Sequence, residues 1–306
     1  MFMQSSQSFT RTARPVRFGA GASKLRALPG QGLTLEEVRR AAPAVFAEGA
    51  HESRSDRFVT IPTAQALAPM LAEGFQIVEV AQGGTRDETR RGYTKHAVRL
   101  RHLSAGSVMT LGNLSPEIIL TNGNDGSSAY WLEAGLYRLV CLNGLRVADR
   151  QFEPQRVAHR GRPDQVVDDV IDAAFRVVES LPAAIDAAGA MEAVQLAPAE
   201  RVAFANAALQ LRWAGEEAGE PAPIQADDAL RARRVDDRGA DLWRTMNVVQ
   251  EGLIRGGQRY RARPTEANPF GQRRTVGEVR GLDQDRAINR ALWTLATEMQ
   301  RLKTAA

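Results

Sequence analysis

Residues 117–147 constrain the fold more than any other part of the chain. An apolar run, Ile118-Ile119-Leu120, meets a polar turn, Asn122-Gly123-Asn124-Asp125-Gly126-Ser127, and a second run, Tyr130-Trp131-Leu132, leaves it. Asn-Gly and Asp-Gly supply the positive φ angles that tight hairpins need. A second Asn-Gly, Asn143-Gly144, follows the apolar stretch 136–142. These features predict a packed β core with polar turns. Residues 134–142 fit a strand or a helix equally well by period.

Strand periodicity recurs upstream. Over residues 93–103, Tyr93, Lys95, Ala97, Arg99 and Arg101 fall on one side, and Thr94, His96, Val98, Leu100 and His102 on the other. That is a period of two with a basic face. Residues 75–80 and 58–61 read as shorter strands. Thr34 and Glu37 form a capping box for a helix reaching about Phe46, disturbed by Pro43. Thr63 is placed to cap a second helix, and Gly74 to end it. After Pro163 the period becomes helical: Val166, Val170, Ala174, Val177, Val178 and Leu181 share one stripe. Further helices are predicted at 198–213, 242–254 and 283–302.

Strands first and helices second predict an α+β protein, a twisted and mainly antiparallel sheet with a helical C-terminal half. The expected organisation is a disordered basic arm over 1–32, an α+β sheet core over 33–162, and a helical region over 163–306 packed on it. An Arg/Gly loop, 255–281, interrupts the helical region. At 306 residues the chain can bury a sizeable core.

The net charge is only +4, but nearly every cation is Arg; the lysines are Lys24, Lys95 and Lys303. Arginine forks suit phosphate and stack on bases. A GC-rich coding sequence also accounts for that bias. The single cysteine, Cys141, excludes an intramolecular disulfide and a cysteine-rich zinc site. It sits in an apolar run and reads as a small core residue. No apolar run approaches the roughly 18 residues of a membrane span, and the N-terminus has no signal-peptide core. A cytoplasmic protein without membrane contact is expected, and homo-oligomerisation is compatible with the sequence.

Basic residues gather in three places. Arg90, Arg91, Lys95, Arg99 and Arg101 lie before and along a strand, Arg138 and Arg146 follow the core turn, and Arg255, Arg259, Arg261 and Arg263 open the late loop with Tyr260 and Phe270 interleaved. Arginine mixed with aromatics suits single-stranded nucleic acid, through phosphate pairing and base stacking. Solvated faces and internal ion pairs are the bland reading of the same clusters.

A polar set, His96, Asn122, Asp125, Asn143 and His159, falls at the turn end of the sheet. With Lys95 it would be the site of an enzyme, if the protein is one. A metal site is not expected. His96 and His102 lie roughly 20 Å apart along one strand, and no His-x-x-x-His spacing exists. No cofactor is implied.

Several strings resemble a family found in phages and plasmids, domain-of-unknown-function family 932. They are residues 93–101, 122–130 and 135–145, His159-Arg160-Gly161, Asp241-Leu242-Trp243 with Asn247, Gln250 and Glu251, Ile254-Arg255-Gly256-Gly257, and Asn289-Arg290-Ala291-Leu292-Trp293. The resemblance implies association with a mobile element and no established activity. Two positions depart from it: Asn124 stands where His is usual, and Leu142 where Ser is usual. The expected function is a non-enzymatic DNA-binding protein of a mobile element, acting on single strands in replication or recombination. The alternatives are an enzyme with the polar set as its site, and a protein-interaction or anti-defence factor without nucleic-acid contact.

Overall fold

A computed structural model describes residues 15–17, 21–28, 30–55, 58–102, 114–138, 143–147, 152–213, 222–266 and 268–305. The strands of the main sheet, in chain order, are β1 (Val16–Arg17), β2 (Ser23–Arg26), β3 (Phe75–Gln82), β4 (His96–His102), β5 (Leu114–Gly123), β6 (Ser128–Arg138), β7 (Asn143–Val147) and β8 (Gln155–Val157). A separate two-stranded ribbon joins β9 (Arg259–Arg261) to β10 (Arg273–Thr275). The helices are α1 (Leu35–Ala41), α2 (Thr63–Ala72), α3 (Pro163–Glu192), α4 (Pro198–Trp213), α5 (Ala226–Ala229), α6 (Leu242–Arg255) and α7 (Leu282–Thr304). The architecture is α+β.

The main sheet is antiparallel and follows the chain order from β1 to β7, with β8 pairing the first half of β6. The Asn-Asp-Gly turn closes β5 onto β6 with Ile118 opposite Ala134 and Leu120 opposite Leu132. That register sends Ile118, Leu120, Leu132 and Leu136 to one face, where Val98, Leu100 and Tyr130 join them. Helix α3 covers this face. Its buried residues Val166, Val170, Ala173, Ala174, Val177, Leu181, Ala184 and Ile185 recur every three or four positions, as a helix packed along one stripe requires. A single apolar cluster runs from Leu25 through the sheet and α3 to Trp293 and Ala296. It joins the sheet to the C-terminal helices.

Several expectations change. The basic arm does not extend to residue 32: Ser23–Arg26 is a sheet strand beside β3, and Leu25 and Leu33 are buried. The apolar Leu25, alternating with Lys24 and Arg26, gives this segment a face to bury. Residues 1–14, where the rest of the arm was expected, lie outside the described residues. The capping box of Thr34 and Glu37 forms, but α1 ends at Ala41 and Pro43 opens a separate turn of 3₁₀ helix. Residues 58–61 are not a strand. Helix α2 begins at Thr63, but that side chain does not cap it. Within 134–142, residues through Arg138 are strand; Cys141 and Leu142 lie outside the described residues.

The late loop is not irregular. Arg-Tyr-Arg alternates with a period of two and pairs with Arg-Arg-Thr: Arg261 opposes Arg273 and Arg259 opposes Thr275. Two glycines make the ribbon close. At Gly256 φ is +64°, and a Cβ would stand 2.3 Å from the Val276 carbonyl oxygen; at Gly271 φ is +66°, and a Cβ would stand 2.0 Å from that of Ala262. Any other residue at either place would meet both a disfavoured backbone and a collision.

Candidate functional site

Three groups of polar residues need to be distinguished. The first is the set at the turn end of the sheet. His96 and Asn122 are fully buried on the helix-covered face, and His159 is nearly so. His96 Nδ1 donates to the Thr94 carbonyl at 3.1 Å, so its Nε2 accepts from the Thr63 hydroxyl at 2.7 Å. Thr63 Oγ1 in turn accepts from Asn122 Nδ2 at 3.0 Å, and Asn122 Oδ1 meets His159 Nε2 at 2.8 Å. Thr63 is therefore turned inward; it is the first residue of α2, and the N-cap position belongs to Pro62, which has no side-chain acceptor to cap the helix. Tyr130 stacks on His159 and donates to the Ile61 carbonyl.

This chain keeps His96 neutral. Burial pushes its pKa down to about 4, against the Thr94 carbonyl and Asp125, which favour the charged form. His159 faces two acceptors, Asn122 Oδ1 and the Val59 carbonyl at 3.0 Å, but burial still lowers its pKa. One proton cannot serve both contacts. Asp125 stands outside the chain of bonds, since its Oδ1 accepts from Ser127 N and Oγ in the turn. Lys95 is elsewhere, paired with Asp283 at 2.6 Å. The Asn143 side chain lies outside the described residues. The structure thus gathers His96, Asn122 and His159 of the expected set and adds Thr63. Among the described residues, no three His, Cys, Asp or Glu side chains are grouped as a metal ion would require. No described helix is long and apolar enough to cross a membrane.

The second group is the other face of the sheet. Arg99 donates to Glu117 at 2.7 Å and Arg101 to its second oxygen at 2.8 Å. Arg146 and Arg286 grip Glu133 at 2.7 and 2.8 Å, and Arg286 also lies over the Trp131 ring. Arg26 is held by Glu79 and donates to the Tyr137 hydroxyl at 2.8 Å. Burial pushes the Glu79 carboxyl up, but Lys24, Arg26 and Arg99 outweigh it and hold the pKa at about 2. Arg99 and Arg146, which are buried, and Arg101, which is partly buried, are therefore corrected from phosphate contacts to ion-pair partners of Glu117 and Glu133. The sequence reading missed Glu79, Glu117 and Glu133. Their signal was parity: Glu117 and Glu133 alternate with Ile118 and Leu132, and so must share the face of Arg99. Arg90 and Arg91 are partly or fully exposed and pair locally with Asp87 and Glu88. For Arg138 only the backbone, at the end of β6, is described.

The third group is the ribbon. Arg259, Arg261, Arg263, Arg273 and Arg274 are exposed, and Phe270 at its tip is 80% exposed. Glu266 is the sole acid between residues 258 and 275. Arg261 donates to the Phe270 carbonyl at 2.7 Å, which ties the tip to the strand. Arg255, at the root, is half-buried and pairs with Glu251. Of the expected phosphate-binding residues, Arg259, Arg261 and Arg263 are thus exposed together, and Arg273 and Arg274 extend them.

Comparison with known proteins bears on the same span. The family described as "Domain of unknown function (DUF932)" matches residues 50–293. The chain is similar to "UPF0380 protein YafZ" of Escherichia coli (strain K12), at 41% identity over 280 residues covering 92% of this chain and 95% of that protein. It is also similar to "UPF0380 protein YfjQ" of the same organism, at 40% identity over 288 residues covering 93% and 98%. No solved structure matches.

Proposed function

The chain belongs to the DUF932 family, and within that family we propose that it is a non-enzymatic nucleic-acid-binding protein of a mobile element whose contact surface is the arginine ribbon. One observation carries this reading: five exposed arginines and an exposed phenylalanine stand on a two-stranded ribbon and its connecting loop, with one acid among them. Exposed guanidinium groups pair with phosphates and release counterions, while Phe270 offers a face on which a base can stack. Both suit a single strand, whose bases are open. The internally paired arginines of the sheet have no part in it.

The test is binding of a labelled single strand to the full chain, with duplex of equal length as comparison, across a salt series. Tight binding at low salt, falling steeply as salt rises and favouring the single strand, supports the reading. Preference for duplex would recast the ribbon as a groove-inserting element. No binding at low salt would leave the protein-interaction reading in its place.

A further inference from the structure

The two faces of the ribbon differ. Ala262 N donates to the Gln272 carbonyl and Val276 N to that of Gln258, so these are hydrogen-bonded pairs of the ladder. By parity, Arg261 with Arg273 and Arg259 with Thr275 are non-hydrogen-bonded pairs, whose side chains stand closest and share one face. Tyr260 and Arg274 take the other face, and Tyr260 packs partly against the core. Like charges directly opposite each other destabilise a ladder, as Arg261 and Arg273 must. Arg261 reaches only a neutral acceptor, the Phe270 carbonyl. Among the described residues no carboxylate pairs with Arg259, Arg261 or Arg273.

The positive surface does not end at the ribbon. Two open grooves, of about 460 and 520 Å³, meet at Arg259. Ribbon residues line the first. The second lies between the ribbon root and the segment after α5, against Asp228, Arg231, Arg233, Gly257 and Gln258. It stays positive after partners are counted. Arg231 pairs with Asp228 at 3.5 Å. Arg233 donates to the Gly256 carbonyl, a neutral acceptor. Asp237 and Glu251 are taken up by Arg234, while Asp227 and Asp236 are exposed outside the groove. Arg231, Arg233 and Arg259 thus face one acid, Asp228, an excess of two charges. A concave wall of one sign focuses its field on an incoming anion.

We propose that a single nucleic-acid strand lying on the ribbon continues past Arg259 into this second groove, where Arg231 and Arg233 contact its phosphates. The inference rests on the reading of the ribbon as a nucleic-acid surface and adds a second half to it. Three residues of strand span only roughly 10 Å, so the ribbon by itself holds a short stretch of chain. The shared Arg259 makes the two grooves one track, and both are open, as a continuous polymer requires.

Fluorescence anisotropy of the full chain with labelled oligothymidylates of increasing length is the test. Affinity should rise with length until both halves of the track are filled. Arg231→Gln removes a groove cation whose side chain is 78% exposed, so thermal melts should show it folded. Ala232→Glu places a carboxylate in the same groove; if it melts early, Arg231→Gln decides alone. On long strands each should weaken binding by about five- to tenfold, and Arg231→Gln should make the salt slope shallower by about 0.7. On the shortest strands that bind, neither should change the affinity. The combined Arg259→Ala, Arg261→Ala and Arg263→Ala variant should weaken binding at every length. Arg301→Gln removes an equal charge roughly 28 Å along α7 from its start and should bind as the wild type does. Groove variants that match the wild type at every length overturn the proposal and leave the ribbon reading standing. So does a loss that is the same at all lengths or shared by Arg301→Gln, since that is a general charge effect. A wild type that binds no strand overturns both.

Discussion

The sheet and the ribbon both carry rows of arginine, yet the surroundings of those rows differ. On the sheet, Arg99, Arg101 and Arg146 face Glu117 and Glu133 on adjacent strands, and Arg286 and Asp285 of α7 close over them. On the ribbon, Arg259, Arg261 and Arg273 point to solvent with a single acid nearby in sequence. A guanidinium inside the protein must have a carboxylate, because removing its charge from water costs several kcal/mol. One at the surface needs none and stays available. The arginine content that first suggested nucleic acid is thus two populations, one holding the fold together and one presented outward.

The largest effects should come from breaking the interior pairs. Glu117→Gln leaves Arg99 and Arg101 without their counter-charge and should cost about 3–5 kcal/mol in urea unfolding. Glu133→Gln, which strands Arg146 and Arg286, should cost a similar amount. If either variant stays within about half a kcal/mol of wild type, as surface changes do, the two arginine populations are not distinct.

Acid should dissect the two faces of the sheet in sequence. His96 titrates near 4 in the folded protein and near 6.5 when unfolded. The unfolded chain therefore binds more protons in that window, and stability falls as pH falls. The contribution is fully present above pH 6.5 and is lost on the way down to 4, on the order of 3 kcal/mol. Glu79, with a folded pKa of about 2 against 4.5, adds a second loss between pH 4.5 and 2. Denaturation midpoints measured from pH 8 to 3 should decline in both windows. A flat profile from pH 7 to 4.5 would mean that His96 is not held neutral in a dry interior.

A smaller effect should follow from opening the polar chain. Asn122→Ala removes the partner of both Thr63 Oγ1 and His159 Nε2. It should cost about 1–3 kcal/mol. An unchanged unfolding midpoint would place water where the amide stands and remove the network from the account of stability.

Much of the fold could be read in advance because it is periodic. The alternation over 93–103, the hairpin turn at 122–127 and the stripe from Val166 to Leu181 are local signals: the first gave a strand over His96–His102, and the other two gave the expected turn and helix. The ion pairs of the sheet were hidden because they join residues far apart in sequence, such as Arg26 with Glu79 and Arg286 with Glu133. Thr63 was misread for a related reason. The helix starts one residue earlier than the cap reading needs, with Pro62 at the N-cap and Thr63 already inside, and the Thr63 hydroxyl bonds His96 and Asn122, 33 and 59 residues away. Asn124, where His is usual in the resemblance, accepts from Asn122 at 3.3 Å, so that departure sits at the end of the same chain of bonds. The ribbon was located by its composition, but its strand pairing was missed because glycine and proline obscured a short period-two pattern.

The central claim, that ribbon arginines act outward and sheet arginines inward, is tested most directly by the salt dependence of single-strand binding in two variants. The account predicts that Arg259→Ala, Arg261→Ala and Arg263→Ala together change stability by no more than about half a kcal/mol. Affinity should drop, and the salt slope should become shallower by up to about one unit per lost contact. Arg101→Ala should lower stability and leave the slope of the folded fraction unchanged. A ribbon variant that binds with the wild-type slope, or an Arg101→Ala variant that flattens it, would contradict the account.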